Sequence, residues 1–184
     1  MPTVRWCCRP VFGVDVIAVQ LSRIQALELA FARIADTRMR DVPVQNLALR
    51  VQAIGFETVV EPAGEVLLGV LVTPWFMNLV RLPHAVNGAG AASLPVGQKV
   101  RREVGCERFE FIGACEEGLG VFEACSLFSP MFEFADQASA TATATEILAQ
   151  LRQPEQLPVD TSAVEPSRRG FLFGRGNDSA RSRV

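Results

Sequence analysis

A thiol nucleophile needs a cysteine and a base that raises its thiolate fraction, and this chain offers Cys125 with its single histidine, His84. The plainer reading makes Cys125 a small core hydrophobe on a strand and His84 a loop residue, since no third group is apparent to orient the ring. Metal chemistry has less to stand on. One histidine cannot carry a zinc site of ordinary composition, no CxxC pair supplies a preformed half-site, and the adjacent Cys7 and Cys8 lie outside the expected fold. The glycines between Gly113 and Gly120 have no lysine or hydroxyl behind them in phosphate-loop order, and no GxGxxG opens a helix. Glu116 and Glu117 fall in a turn, where acidic side chains are usually solvated. The expectation is therefore a protein without catalytic residues, metal or cofactor, and not an enzyme.

Such a chain must earn its function by binding, and its bulk properties say what it can bind. It has 184 residues, 49% hydrophobic and 21% charged, enough for one domain with a core that needs no staple. The net charge is -2, yet five arginines against one aspartate fill the stretch from Ser167 onward, and Lys99 is the only lysine. Without aromatic interleaving this basic tail is a poor nucleic-acid surface, so no nucleic acid is expected as a partner. Five irregularly spaced cysteines (Cys7, Cys8, Cys106, Cys115, Cys125) cannot all pair within the chain and fit a reducing cytoplasm. The most apolar run, 67 to 82, contains Pro74 and Arg81 and is shorter than the ~20 residues a spanning helix needs, so no stable membrane insertion is expected.

The pattern of elements is α+β: a single domain with a mostly antiparallel sheet flanked by an N-terminal and a C-terminal helix. Ile17, Leu21, Ile24, Leu27, Phe31 and Ile34 line one face of a helix that Asp15 would cap and that ends before Pro43. Alternation from Leu47 through Ala53 predicts a strand running towards Phe56, and Glu61-Pro62-Ala63-Gly64 a turn. Leu67 to Thr73 is continuously apolar and reads as a central strand covered on both faces, with Pro74 at its end. A further strand over 75–82, a loop over 84–97, a hairpin of 98–104 and 108–114 around Gly105, and a strand over 119–127 complete the sheet. Asp136 starts a helix over 137–153. Residues 1–14 read as a flexible extension, or as the product of a start chosen too far upstream; 15–153 form the domain, and 154–184, with three prolines and few apolar residues, read as a disordered tail.

Two segments are more distinctive than generic structure requires: Leu68-Gly69-Val70-Leu71-Val72-Thr73-Pro74-Trp75-Phe76-Met77-Asn78-Leu79-Val80 and Cys125-Ser126-Leu127-Phe128-Ser129-Pro130-Met131. Both resemble the signature blocks of the nickel-iron hydrogenase assembly chaperone family of the HybE/HupJ type. Met39 before Pro43, Asn46 before Leu47, Phe56, and Ser167-Arg168-Arg169 stand in the family's order; Val104-Gly105-Cys106-Glu107 departs from its proline-glycine turn. The resemblance implies a cytoplasmic accessory chaperone that binds hydrogenase subunit precursors before twin-arginine export. Its partner-binding residues would be Thr73, Pro74, Trp75, Phe76, Met77 and Asn78 with Cys125, Ser126, Phe128, Ser129, Pro130 and Met131. Trp75, Phe76 and Met77 supply apolar anchors and Asn78 an amide able to pair with a peptide backbone. On a strand, half of these side chains point into the core.

The tail adds Ser167-Arg168-Arg169-Gly170-Phe171-Leu172, the S-R-R-x-F-L pattern of a twin-arginine signal peptide without the apolar stretch that export needs. One hypothesis is that Ser167, Arg168, Arg169, Phe171 and Leu172 mimic the client's signal and occupy its groove; the plainer one is a solvated basic tail. Two other functions remain open: a scaffold bridging the hydrogenase large subunit and other maturation factors, and a thiol-dependent enzyme using Cys125.

Overall fold

The computed structural model describes residues 3–4, 14–62, 64–84 and 94–153. In chain order these form β1 (Thr3–Val4), α1 (Val14–Asp36), β2 (Gln52–Glu61), β3 (Gly64–Val72), β4 (Met77–Pro83), β5 (Lys99–Val104), β6 (Glu107–Glu116), β7 (Gly120–Phe128) and α2 (Gln137–Arg152). One sheet holds all the strands in the order β1-β5-β6-β7-β4-β3-β2. Strands β2 to β7 pair antiparallel, and the short β1 adds to β5 in parallel. The architecture is the expected α+β fold.

The sheet has a helix against each face, which explains the unbroken apolar run of β3. Leu67 and Leu71 pack with Leu27 and Phe31 of α1, while Val66, Leu68, Val70 and Val72 pack with Ala140, Ala144, Leu148 and Leu151 of α2. Both parities are buried because both faces are covered. Ala140 and Ala144, one turn apart, let α2 lie close to the strands, and Gly55, at φ +59°, leaves room for Leu148, which a Cβ there would meet at 2.6 Å. Asp136 caps α2 as expected: its carboxylate accepts from Ser139 N–H at 2.7 Å, and Ser139 Oγ closes the reciprocal bond to the cap.

Two element boundaries differ from expectation. Asp15 lies inside α1 and does not cap it, since the helix begins at Val14. The helix ends at Asp36, before Pro43 as expected, where Met39 N–H turns back onto Ile34 O at 2.9 Å and Thr37 Oγ1 bonds Arg33 O at 2.6 Å. The alternation from Leu47 to Val51 does not belong to a strand: Asn46 makes a turn there, its Oδ1 accepting from Ala48 N–H at 3.0 Å while its carbonyl takes Leu49 N–H. Leu47 is left 89% exposed and β2 begins at Gln52.

Beyond the end of α2 the same face of the sheet carries a buried ion network. The Arg81 guanidinium reaches both carboxylate oxygens of Glu61 and, at 2.8 Å, Oε1 of Glu123; Arg102 holds Glu123 with two bonds of 2.6 and 2.9 Å. Arg81 and Glu123 are each 1% exposed. Burial alone would lower the Arg81 pKa, but the two carboxylates overcome it and hold the guanidinium above its ordinary value.

Candidate functional site

The two distinctive segments meet at one end of the sheet, and the register of β4 on β7 explains why: Met77 stands opposite Phe128, so the turn entering β4 and the chain leaving β7 lie side by side. Pro74 and Trp75 make the tight turn between β3 and β4. The Thr73 hydroxyl accepts from Phe76 N–H at 3.0 Å and Trp75 N–H at 3.3 Å, and Thr73 N–H donates to Phe76 O at 2.8 Å. Asn46 ties this turn to the next. Its own N–H donates to Pro74 O at 2.7 Å, and its Nδ2 donates to Met131 O at 3.0 Å and Phe134 O at 2.7 Å. Ser129 Oγ adds a bond of 3.4 Å to Trp75 O, and a cis peptide joins Ser129 to Pro130.

The residues of this corner divide into those that build it and those that face outward. Thr73, Pro74, Met77 and Met131 are buried, as is Trp75, which meets Phe76 edge-on at 5.5 Å. Phe76 in turn meets Phe31 of α1 edge-on at 5.7 Å. Phe76, Asn78, Cys125 and Phe128 are half-buried, while Ser126, Ser129 and Pro130 are exposed together with Phe132, which is 59% exposed. Asn78 Oδ1 is buried and has no hydrogen-bond partner. An orphan amide acceptor beside an aromatic ring can take an N–H from an extended peptide.

A cleft of about 500 Å³ lies on the flank of α1, between Gln25, Glu28, Leu29 and Ala32 of the helix and Arg50, Val51 and Gln52 at the start of β2. None of the sequence-predicted residues lines it. Corner and cleft share α1, since Phe31, which meets Phe76, is the neighbour of Ala32.

The model of a family described as NiFe-hydrogenase assembly, chaperone, HybE, matches residues 22–174. This chain belongs to that family. It is similar to the protein HoxT of Cupriavidus necator, with 52% identity over 86% of this chain and 92% of that one. It is also similar to the hydrogenase expression/formation protein HupJ of Bradyrhizobium diazoefficiens, with 37% identity over 79% and 83%. The solution structure of HybE from Escherichia coli shares the fold with a TM-score of 0.52 at 19% identity, covering 85% of this chain and 91% of that one. The HybE-family match includes Ser167 to Leu172, although those tail residues lie outside the described ones, as do Cys7 and Cys8.

Within this HybE-type fold the Cys125 and His84 pair does not assemble. Cys125 stands opposite Leu79 of β4, and His84 follows the end of that strand five residues on, about 16 Å away at strand rise. Burial also pushes the Cys125 thiol up, away from the thiolate a nucleophile needs. Among the described residues no group of three or more His, Cys, Asp or Glu side chains is placed to hold a metal. No helix among them is long and apolar enough to cross a membrane.

Sequence reasoning gave no role to Asn46 and missed Arg23, which is 4% exposed and donates to Pro83 O at 3.1 Å and Leu119 O at 2.8 Å, fastening α1 to the sheet. Its position one helical turn before Leu27 was the available signal. Beside it, burial holds the His84 imidazole below its ordinary value of 6.5; Glu65 opposes this and Arg23 adds to it. A depressed folded pKa contributes stability that is present above 6.5 and lost as the pH falls through the folded value. The His84→Gln variant is therefore expected to lose less melting temperature than the parent between about pH 7 and pH 5. Parallel melting curves would contradict that assignment.

Proposed function

We propose that this chain is a non-catalytic chaperone that holds a nickel-iron hydrogenase subunit precursor in the cytoplasm before its export. The observation that carries the reading is the unpartnered Asn78 Oδ1, on the α1 side of the sheet with Phe76 and Ser126, next to the exposed Ser129 and Pro130 that follow β7, while Phe128 packs on the other side against Phe134. Thr73, Pro74, Trp75, Met77 and Met131 position this corner from below, and Cys125 borders it as a packing residue. An aromatic anchor next to a backbone-reading amide suits an extended apolar segment that must be gripped and later released.

The test is binding of a purified subunit precursor to the parent chain and to Phe76→Ala and Asn78→Leu variants. Each is expected to weaken binding about tenfold, the effect of losing a moderate anchor, with the melting temperature little changed. Unaltered affinity in both would remove the corner from the client site.

The tail belongs to the same reading. Ser167, Arg168, Arg169, Phe171 and Leu172 stand in for the client's twin-arginine signal peptide and compete with it, and three observations support this: the S-R-R-x-F-L spacing, the polar run Gly174-Arg175-Gly176-Asn177-Asp178 close behind it, and the family match continuing to residue 174. Removal of residues 167–184 is expected to tighten apparent signal-peptide binding by the reciprocal of the unoccupied fraction. Unchanged affinity and off-rate would end the idea. Retention of a precursor lacking its signal peptide with undiminished affinity would instead favour a scaffold that grips the mature part of the subunit.

A further inference from the structure

Strand β2 ends the sheet order, and among the described residues no strand pairs with it on the side away from β3. Its outward backbone groups are met by side chains. Ala53 N–H points toward α1 and donates to Glu28 Oε1 at 2.8 Å, and Gly55 C=O accepts from Arg152 Nη2. A carboxylate and a guanidinium thus stand where the carbonyl and amide of a neighbouring strand would stand, the arrangement that keeps an exposed edge from pairing at random. The cleft opens at the start of this edge, beside Gln52, with Leu29, 68% exposed, on its helical wall and Val51 on the other.

We propose that this cleft seats the chain's own segment Arg168–Phe173 as an added extended strand, which takes over the Ala53 N–H and frees Glu28 to pair with an arginine of the segment. The proposal rests on the reading of that segment as a stand-in for a client's signal, and it assigns that reading a place separate from the corner. Three observations select this occupant. First, α2 delivers the chain to the edge itself, since Arg152 lies on Gly55, two residues along from Ala53. From Gln153 to Arg168 an extended chain reaches up to ~50 Å, so the segment returns without strain and at an effective concentration in the millimolar range. Second, the cleft carries the Glu28 carboxylate beside Arg50, and the segment brings Arg168 and Arg169, one of which can pair with that carboxylate once it lets go of Ala53 N–H. Third, Phe171, Leu172 and Phe173 provide apolar side chains to cover Leu29, which is 68% exposed on the cleft wall. Strand addition suits such a partner, because backbone bonds give affinity and alternate side chains enter the groove.

NMR of the full-length chain without any client tests the seat alone. The segment predicts cross-relaxation between the Leu29 methyls and the side chains of Phe171 or Leu172. It also predicts that a full-length Phe171→Glu, Leu172→Glu variant shifts the amides of Val51 and Ala53 while leaving those of Phe76, Asn78 and Ser126 in place. A Leu29→Glu variant, altered only at an exposed position of the wall, is expected to abolish the same cross-relaxation. Unmoved Val51 and Ala53 resonances overturn the proposal. So does movement at Phe76, Asn78 and Ser126 in their place, which would put the tail on the corner and leave the competition idea standing. Cross-relaxation that vanishes on dilution would overturn it in favour of a second copy as the occupant.

Discussion

The Glu123→Ala variant is expected to lose about 3–5 kcal/mol of folding stability, the usual cost of breaking a buried ion pair by removing one partner. The carboxylate of Glu123 serves Arg81 at 2.8 Å and Arg102 at 2.6 Å, and its side chain is 1% exposed. Without it Arg102 has no carboxylate partner left in the network, and Arg81 keeps only Glu61 while remaining out of reach of water. The Coulomb attraction of an intact buried pair roughly offsets its desolvation, so the loss measures an abandoned charge and not the worth of the bridge. Against a domain stability of roughly 5–15 kcal/mol this is a large fraction. Urea unfolding of parent and variant checks the number, and a change below about 1 kcal/mol would mean that the network is solvated. An apolar replacement of all four members together should be far less damaging than Glu123→Ala alone.

The second large effect is expected at Asn46. Replacing it with alanine removes the donor to Met131 O and Phe134 O, both half-buried bonds, and the acceptor of the exposed Ala48 N–H. Phe134 O would lose that donor while Met131 O keeps Phe134 N–H, for a predicted loss of about 1–3 kcal/mol. The consequence reaches binding, because those bonds keep the Pro74–Trp75 turn beside the Ser129–Pro130 corner. Asn46→Ala is expected to weaken precursor binding although Asn46 itself does not form the outward surface. An Asn46→Ala protein with parental stability and parental affinity would show that the two segments hold together without it.

Much of the fold was legible because it follows from local periodicity and cover. The Leu27 and Phe31 stripe, the doubly buried Leu67–Val72 run, the Gly105 turn at φ +62° and the Asp136 cap each involve residues close in sequence. What depends on distant partners was not legible. Arg81 looks like an interruption in an apolar run until Glu61 and Glu123 are placed around it, and Asn46 looks like an ordinary turn residue until Met131 arrives 85 positions later. The same turn produced the false strand signal at Leu47, since alternation is also what a turn gives when Leu49 is buried and its neighbours are not. The candidate site was legible only as motif. Its two halves come together through the Met77 and Phe128 register, a pairing no spacing rule supplies, and the family resemblance stood in for it. The cleft beside α1 left no motif at all, because Glu28, Leu29 and Val51 are ordinary residues of a helix face and a strand entrance.

One binding comparison bears on the central claim most directly: capture of a nickel-iron hydrogenase subunit by this chain, measured with the unprocessed precursor and with the mature, exported form. A client grip that relies on the Phe76 and Asn78 surface predicts retention of the precursor, loss of most of that retention in the Phe76→Ala, Asn78→Leu double variant, and little retention of the mature subunit. Equal retention of both forms, untouched by the double variant, would contradict it.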